Sequence, residues 1–142
     1  MDKQALFKKF VTFTSSVHQV TNDMTKDVQA EEVTPLQYKI LEHLAICEAV
    51  TISAISECLH TSLPNTSREL RKLIEKQLCE KVPDLEDRRK QYIRLTMRGQ
   101  AMMEEAFQRI ESQFLKRIAQ VSNEELKEVE RALDLLQKKV FY

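Results

Sequence analysis

The sequence is short of the residues that break helices: among 142 residues it has one glycine, three prolines and no tryptophan. This scarcity, together with abundant Leu, Glu, Lys and Gln, favours a helical protein. No apolar run approaches the roughly 20 residues that a membrane-spanning helix needs. The N-terminus also lacks the arrangement of a signal peptide. We therefore expect a single cytoplasmic domain, residues 1–142, with no membrane partner.

Motifs for catalysis and for metal binding are missing as well. Cys47, Cys58 and Cys79 form no Cys-x-x-Cys pair, so we expect three buried thiols. The histidines match neither His-Glu-x-x-His nor a zinc spacing. We also find no Ser/His/Asp order in a motif context, no phosphate-binding glycine loop and no paired carboxylates with a defined site. The prediction is a protein that is not an enzyme, with no catalytic residues, no metal and no cofactor.

Charge is balanced overall but unevenly distributed. The formal net charge is zero, which alone argues against a general nucleic-acid binder. Residues 62–99, however, hold ten Lys or Arg against six Asp or Glu, a balance of +4 that leaves −4 on the remainder. A local excess of positive charge is what a DNA-binding surface needs, because contacts with phosphates supply most of the non-specific affinity.

Residues 62–78 predict an amphipathic helix with a polar, basic start. Its buried stripe consists of apolar residues at helical spacing: Leu70, Leu73, Ile74 and Leu78. The first turns are polar, and unpaired backbone N–H groups there suit phosphates or base edges. The candidate DNA contacts are Ser62, Pro64, Asn65, Thr66, Ser67, Arg68, Arg71 and Lys72. The alternative is a helix cap followed by an ordinary exposed turn.

A β-hairpin is predicted after this helix. Residues 80–82 and 92–95 read as two short strands, with Ile93 and Leu95 on one face. The loop between them carries Asp87, Arg88, Arg89 and Lys90, which either meet an anion or lie in water. Upstream, Thr34 starts a capping box, and Thr51 is the expected N-cap of a short helix. Short helix, turn, longer helix and hairpin is the order of a winged helix-turn-helix.

Long apolar stripes mark both ends of the chain. They predict an N-terminal helix of about 25 residues reaching Val28, and a C-terminal helix that begins at a Ser122 capping box. Such stripes beside a small core are best explained if the two ends pack together and against a second copy. The predicted dimerisation residues are Leu6, Phe10, Phe13, Val17, Leu126, Val129, Leu133, Leu136, Val140 and Phe141.

The hairpin carries a sequence signature. Asp87-Arg88-Arg89, Ile93, Leu95-Thr96 and Gly99 resemble the wing of the multiple-antibiotic-resistance regulator (MarR) family of bacterial transcription factors. One departure is Gln77, because family members usually have glycine at the end of the recognition helix. The resemblance implies a mainly α fold with a small β-hairpin wing. Its winged helix-turn-helix core would be residues 34–99, flanked by dimerisation helices at 1–30 and 100–142.

The resemblance also implies a function. The expected protein is a homodimeric repressor that binds a pseudo-palindromic operator in double-stranded DNA and is relieved by a small aromatic or apolar ligand. Arg88 and Arg89 are expected to enter the minor groove, with Asp87 holding a wing arginine in place. A ligand site between the dimer helices and the recognition domain would involve Phe13, His18 and Tyr38.

The sequence leaves two other functions open. The balanced net charge also fits a winged-helix protein-interaction module, such as an antirepressor or scaffold, that lacks specific DNA binding. The second open function is that of a cysteine-based redox regulator. Some relatives sense oxidants through a cysteine near the N-terminus, but this chain has Ser15 and Ser16 in that region and no cysteine before Cys47.

Overall fold

A computed structural model describes residues 1–26, 32–87 and 89–142, and confirms a mainly helical protein with a small antiparallel sheet. The elements in order are α1 (Lys3–Thr25), α2 (Pro35–Cys47), β1 (Val50–Thr51), α3 (Ile52–Leu59), α4 (Leu63–Glu75), β2 (Cys79–Pro83), β3 (Gln91–Leu95), α5 (Met97–Arg117) and α6 (Asn123–Lys139). They belong to two compact units, Met1–Ile110 and Glu111–Tyr142. Within the described ranges, no helix combines the length and the apolarity that crossing a membrane requires.

Side-chain caps fix where the helices begin, as the sequence predicts. At the start of α2, Thr34 Oγ1 accepts from the Gln37 N–H at 3.2 Å while Gln37 Oε1 accepts from the Thr34 N–H at 3.2 Å. Ser122 and Glu125 make the same reciprocal pair at the start of α6. Thr51 caps α3 by accepting from the N–H of Ala54. Each cap satisfies backbone donors that have no partner inside the helix.

The sheet contains the predicted hairpin and one strand that the sequence analysis missed. Its order is β1-β3-β2, with both pairings antiparallel. Ile93 lies at the centre, opposite Lys81 on β2 and Val50 on β1. Ile93 is fully buried and Leu95 is 6% exposed, which confirms the predicted inward face of β3. Strand β1 has only two residues, too few to show an alternating pattern.

The hydrophobic core of the first unit lies among α2, α3, α4, the sheet and the first half of α5. Each element contributes large side chains that are almost fully buried: Ile40, Leu41, Ile55, Leu70, Leu73, Leu78, Ile93 and Met103. Burying one such side chain stabilises a protein by roughly 1.5–3 kcal/mol. This core fixes α4 and the wing, so their exposed faces project from a rigid base.

Helices α1 and α6 have no buried residues. On α1, Leu6 and Phe13 are about half exposed, at 50% and 47%, and on α6 Leu133 is 58% exposed. The predicted N-terminal helix is present over Lys3–Thr25. Its expected last residue, Val28, and the expected boundary near residue 30 lie outside the described residues.

Two of the three cysteines contradict the expectation of buried thiols. Cys79 is buried, but Cys47 and Cys58 are exposed. Cys47 is the last residue of α2, and the buried residues of α3 are Ile55 and Ser56 rather than Cys58. Burial raises the pKa of the Cys79 thiol to about 12.

Candidate nucleic-acid interface

The N-terminal turns of α4 form the exposed part of the recognition helix. Ser62 is the N-cap, and its hydroxyl accepts from the N–H of Asn65 at 3.2 Å. Pro64 sits in the first turn, where the missing N–H of proline costs no helical hydrogen bond. Ser62, Pro64, Arg68, Arg71 and Lys72 are all exposed. This end of α4 therefore presents a polar, positively charged surface together with the positive end of the helix dipole.

Asn65 is held by its neighbours rather than left free. Its Nδ2 donates to Thr61 Oγ1 at 3.0 Å, and its Oδ1 accepts from Arg68 Nη2 at 3.4 Å. Both polar ends of this half-buried amide are therefore engaged within the protein. Arg68 is the more exposed of the two, so the geometry favours Arg68 as the side chain that reaches DNA and Asn65 as the residue that orients it.

Thr66 corrects the sequence prediction, which included it among the DNA contacts. The residue is fully buried, Ser56 Oγ of α3 donates to its hydroxyl at 2.9 Å, and that hydroxyl donates to the carbonyl of Ser62 at 2.9 Å. A side chain with no exposed surface cannot touch DNA, so Thr66 joins α3 to α4 instead. The signal was present in the sequence, because Thr66 precedes Leu70 by four residues and so lies on the buried stripe.

At the wing tip, Asp87 makes shorter contacts with the backbone N–H groups of the loop than with the side chain of Arg89. Asp87 Oδ1 accepts from the N–H of Arg89 at 3.0 Å, and the Asp87 carbonyl accepts from the N–H of Lys90 at 3.1 Å. The Arg89 Nε lies 3.6 Å from Asp87 Oδ1, and the Arg89 side chain is 95% exposed. The guanidinium therefore extends into solvent. Arg88, the other predicted wing arginine, lies outside the described residues.

A cleft of about 450 Å³ brings the recognition helix and the wing together. Leu63 and Ser67 of α4 line one side, and Arg89, Lys90 and Tyr92 of the wing line the other. Residues 51–53, at the start of α3, complete it. Predicted residues from two distant sequence segments thus meet at one surface. The sequence alone did not indicate a role for Leu63, Tyr92 or the start of α3, because only the fold brings them to this cleft.

The C-terminal end of α4 fixes where the wing begins. The N–H of Gln77 donates to the Ile74 carbonyl at 2.9 Å, and the N–H of Leu78 donates to the Leu73 carbonyl at 3.0 Å. These are the two bonds of a Schellman motif, which needs a left-handed residue after the helix. Gln77 supplies it with a φ of 61°. The departure from the family's usual glycine therefore leaves the entry into the wing intact, at the cost of a strained backbone.

Glu69 ties the exposed helix to α2. Its Oε2 accepts from Gln37 Nε2 at 2.8 Å, and its Oε1 lies 3.3 Å from Lys72 Nζ. The hydrogen bond from Gln37, followed by the charges of Lys72 and Arg68, holds the pKa of Glu69 below its ordinary value. Lys72 is therefore partly neutralised, whereas Arg71 and Lys90 make no ion pair with any of the described residues.

The predicted ligand residues do not line either of two cavities found in the described part of the chain. Tyr38 is buried in the core, while Phe13 and His18 are exposed on α1. Neither the cleft nor a second cavity of about 530 Å³, between α2, β3 and α5, is lined by any of the three. The hydroxyl of Tyr38 is buried without a hydrogen-bond partner among the described residues. Burial and, to a lesser extent, the charge of Glu42 raise the pKa of Tyr38 to about 12.

In the described part of the chain, no three His, Cys, Asp or Glu side chains are arranged to hold a metal ion.

A recognition helix with an exposed basic start, packed beside a β-hairpin wing, defines the class of winged helix-turn-helix proteins. Residues 33–90 match the model of the MarR family, which agrees with the resemblance of the wing signature. The winged core is therefore similar to that of MarR-family proteins. MarR-family proteins are transcription regulators and not enzymes, and the match supports a regulator that binds DNA.

Solved structures share the fold at low sequence identity. A MarR family protein from Bacillus stearothermophilus is 19% identical with a TM-score of 0.80, and the alignment covers all of this chain and 99% of that one. MepR, a transcription regulator of the Staphylococcus aureus multidrug efflux pump MepA, is 21% identical with a TM-score of 0.67, covering 91% and 96% of the two chains. A MepR mutant bound to an oligodeoxyribonucleotide gives a TM-score of 0.61 at 21% identity, covering 99% of each. Comparison with curated proteins finds no match.

Proposed function

We propose that the protein is a homodimeric repressor that binds a pseudo-palindromic operator, with α4 in the major groove and the wing tip in the adjacent minor groove. The observation that carries this proposal is the cleft that joins Ser67 of α4 to Arg89 and Lys90 of the wing. A surface that combines a basic helix start with a projecting arginine matches both grooves of one duplex.

The predicted contacts fall into separate roles within this proposal. Arg68 is the candidate for base recognition, since arginine can donate to guanine through two hydrogen bonds. Arg71 and Lys90, which have no acidic partner among the described residues, would neutralise phosphates. Arg89 would occupy the minor groove, where a narrow groove concentrates negative potential. Asp87 orients the turn that carries it.

The dimer is supported by the apolar faces of α1 and α6. Phe13 on α1 and Leu133 on α6 are each about half exposed in the single chain, at 47% and 58%. Leaving such faces in water is unfavourable by roughly 25 cal/mol per Å² of apolar surface, which a second copy would recover. Two recognition helices related by a twofold axis would then enter successive major grooves, about 34–36 Å apart.

Relief by a small molecule is the remaining part of the proposal. A ligand releases operator DNA only to the extent that it binds one dimer state better than the other. Since a cytoplasmic regulator meets metabolites and drugs that enter the cell, an apolar or aromatic compound remains the expected class. The MepR relative, named as a regulator of a multidrug efflux pump, supports that expectation.

The experiment measures binding to DNA from upstream of the protein's own gene by fluorescence anisotropy at several salt concentrations. We expect a preference of about 10³ or more over unrelated DNA and a steep loss of affinity with salt. In Arg89→Ala the slope of log affinity against log salt should flatten by about one unit. Arg109→Ala is the matched control, because Arg109 also pairs with a nearby carboxylate, Glu105, but lies on α5 outside the winged core.

Two results would count against the proposal. An unchanged salt slope in Arg89→Ala would refute the role of the wing tip. Weak binding to both DNAs with little salt dependence would instead favour the protein-interaction module.

A further inference from the structure

Two cysteines and a histidine meet on the side of the core formed by α2 and α3. His43 Nδ1 lies 3.5 Å from Cys58 Sγ and 3.9 Å from Cys47 Sγ. His43 and Cys47 are four residues apart on α2, so they share one helix face. Cys58 comes from α3, which packs against α2. Both sulfurs are therefore within hydrogen-bond range of the same ring nitrogen.

The surroundings of these thiols favour reaction. Cys47 and Cys58 are exposed, whereas Cys79 is buried. Cys47 is the last residue of α2, and Cys58 is followed by a single helical residue before α3 ends. Side chains at helix ends have room to change their orientation, since helix ends fray. Neither cysteine lines the cleft between α4 and the wing.

We propose that Cys47 and Cys58 form a peroxide-sensitive thiol pair that closes into an intramolecular disulfide, with His43 as the base. The nitrogen of an imidazole within reach of a thiol can take its proton as the sulfur attacks. Cys58 is the first nucleophile because it lies nearer to His43 Nδ1. The substrate class is hydrogen peroxide.

The oxidation proceeds in two steps. The Cys58 sulfur attacks one peroxide oxygen, an S–O bond forms, the O–O bond breaks and the other oxygen leaves as water. The Cys47 sulfur then attacks the sulfenic sulfur of Cys58, an S–S bond forms, the S–O bond breaks and a second water leaves. The two thiols lose two electrons in total, and the peroxide gains them.

The test treats the reduced, full-length protein with equimolar hydrogen peroxide, alkylates it after denaturation, and maps the peptides by mass spectrometry. We expect a loss of two hydrogens from the intact mass, a linked peptide pair containing Cys47 and Cys58, and alkylation at Cys79 alone. Cys47→Ser should accumulate a sulfenic acid at Cys58, which dimedone traps. Cys79→Ser is the matched control and should form the same disulfide at the same rate.

A third variant tests the base. His43→Ala should slow disulfide formation by about 10²-fold or more, because the thiol proton has lost its acceptor. A wild-type rate in this variant would overturn the role of His43. Intermolecular disulfides, or free alkylation of both Cys47 and Cys58 after treatment, would overturn the thiol pair itself.

Discussion

Gly99 is the position where adding a single methyl group should do the most damage to the root of the wing. A Cβ built on Gly99 would lie 2.1 Å from the carbonyl oxygen of Leu78 and 3.3 Å from a methyl carbon of Leu95. That carbonyl already accepts from the N–H of Thr96 at 3.1 Å, and Leu78 is fully buried. Gly99 therefore lies in close contact with the backbone at the base of the wing.

The size of the effect follows from three contributions. A carbon and a carbonyl oxygen normally approach to about 3.3 Å, so the backbone must move by roughly 1 Å to admit the methyl group. Overpacking of this kind destabilises by about 1–3 kcal/mol. Weakening the hydrogen bond between Thr96 and Leu78 adds about 1 kcal/mol. Replacing a helical glycine with alanine returns about 1 kcal/mol, so Gly99→Ala should lose about 1–3 kcal/mol.

The assay is urea unfolding followed by circular dichroism, with a thermal melt alongside. For a chain of this size we expect Tm to fall by about 3 °C for each kcal/mol lost. Gln100→Ala is the control, because Gln100 is exposed on the same helical turn, and it should change stability by no more than about 0.5 kcal/mol. If Gly99→Ala is as stable as the wild type or more stable, the Leu78 carbonyl is not a rigid obstacle and the reasoning fails.

Other changes test the neighbouring contacts. Gln77→Gly should stabilise the protein by about 1 kcal/mol, since glycine adopts the left-handed conformation without strain; an unchanged unfolding midpoint would contradict this. The lowered pKa of Glu69 means that its contribution to stability is complete above its ordinary value of 4.5 and is lost as the pH falls through the lower folded value. The difference in the free energy of unfolding between wild type and Glu69→Gln should therefore shrink only at acidic pH. If that difference stays the same at every pH, the hydrogen bond from Gln37 does not couple the ionisation of Glu69 to folding. Closing the Cys47–Cys58 disulfide should weaken operator binding by roughly tenfold, reversibly with thiol, and equal anisotropy curves for both forms would refute the coupling.

The sequence predicted the elements of this fold because their signals are local. The capping boxes at Thr34 and Ser122 need only four consecutive residues each, and both are present as predicted. Ile93 and Leu95 alternate with polar residues, so the inward face of the second wing strand could be assigned from period alone. Elements whose start and periodicity are encoded locally are therefore recoverable without a structure.

What escaped prediction depends on contacts between distant segments. Strand β1 exists only because Val50 pairs with Ile93, 43 positions later in the numbering. The exposure of Cys47 and Cys58 depends on which faces of α2 and α3 the core covers, and composition carries no such information. The burial of Thr66 did not depend on distant segments in this way. Its place on the apolar stripe of α4 was visible in the sequence, but its polar side chain favoured an exposed role. The roles of individual residues toward DNA remain predictions.

The recognition helix is held by two tertiary contacts along its length and by a third just beyond its end. Near its start, Thr66 bonds to Ser56 of α3; at its middle, Glu69 bonds to Gln37 of α2; after its end, the Leu78 carbonyl bonds to Thr96 before α5. Each partner belongs to a different part of the winged core, so a displacement of any one of them must move the helix or break a bond. A helix fixed in this way cannot adapt freely to DNA. The spacing between the two recognition helices of the proposed dimer would therefore change through movement of whole winged cores. A ligand or a disulfide that shifts α2 against α3 would act on α3, to which the start of α4 is bonded.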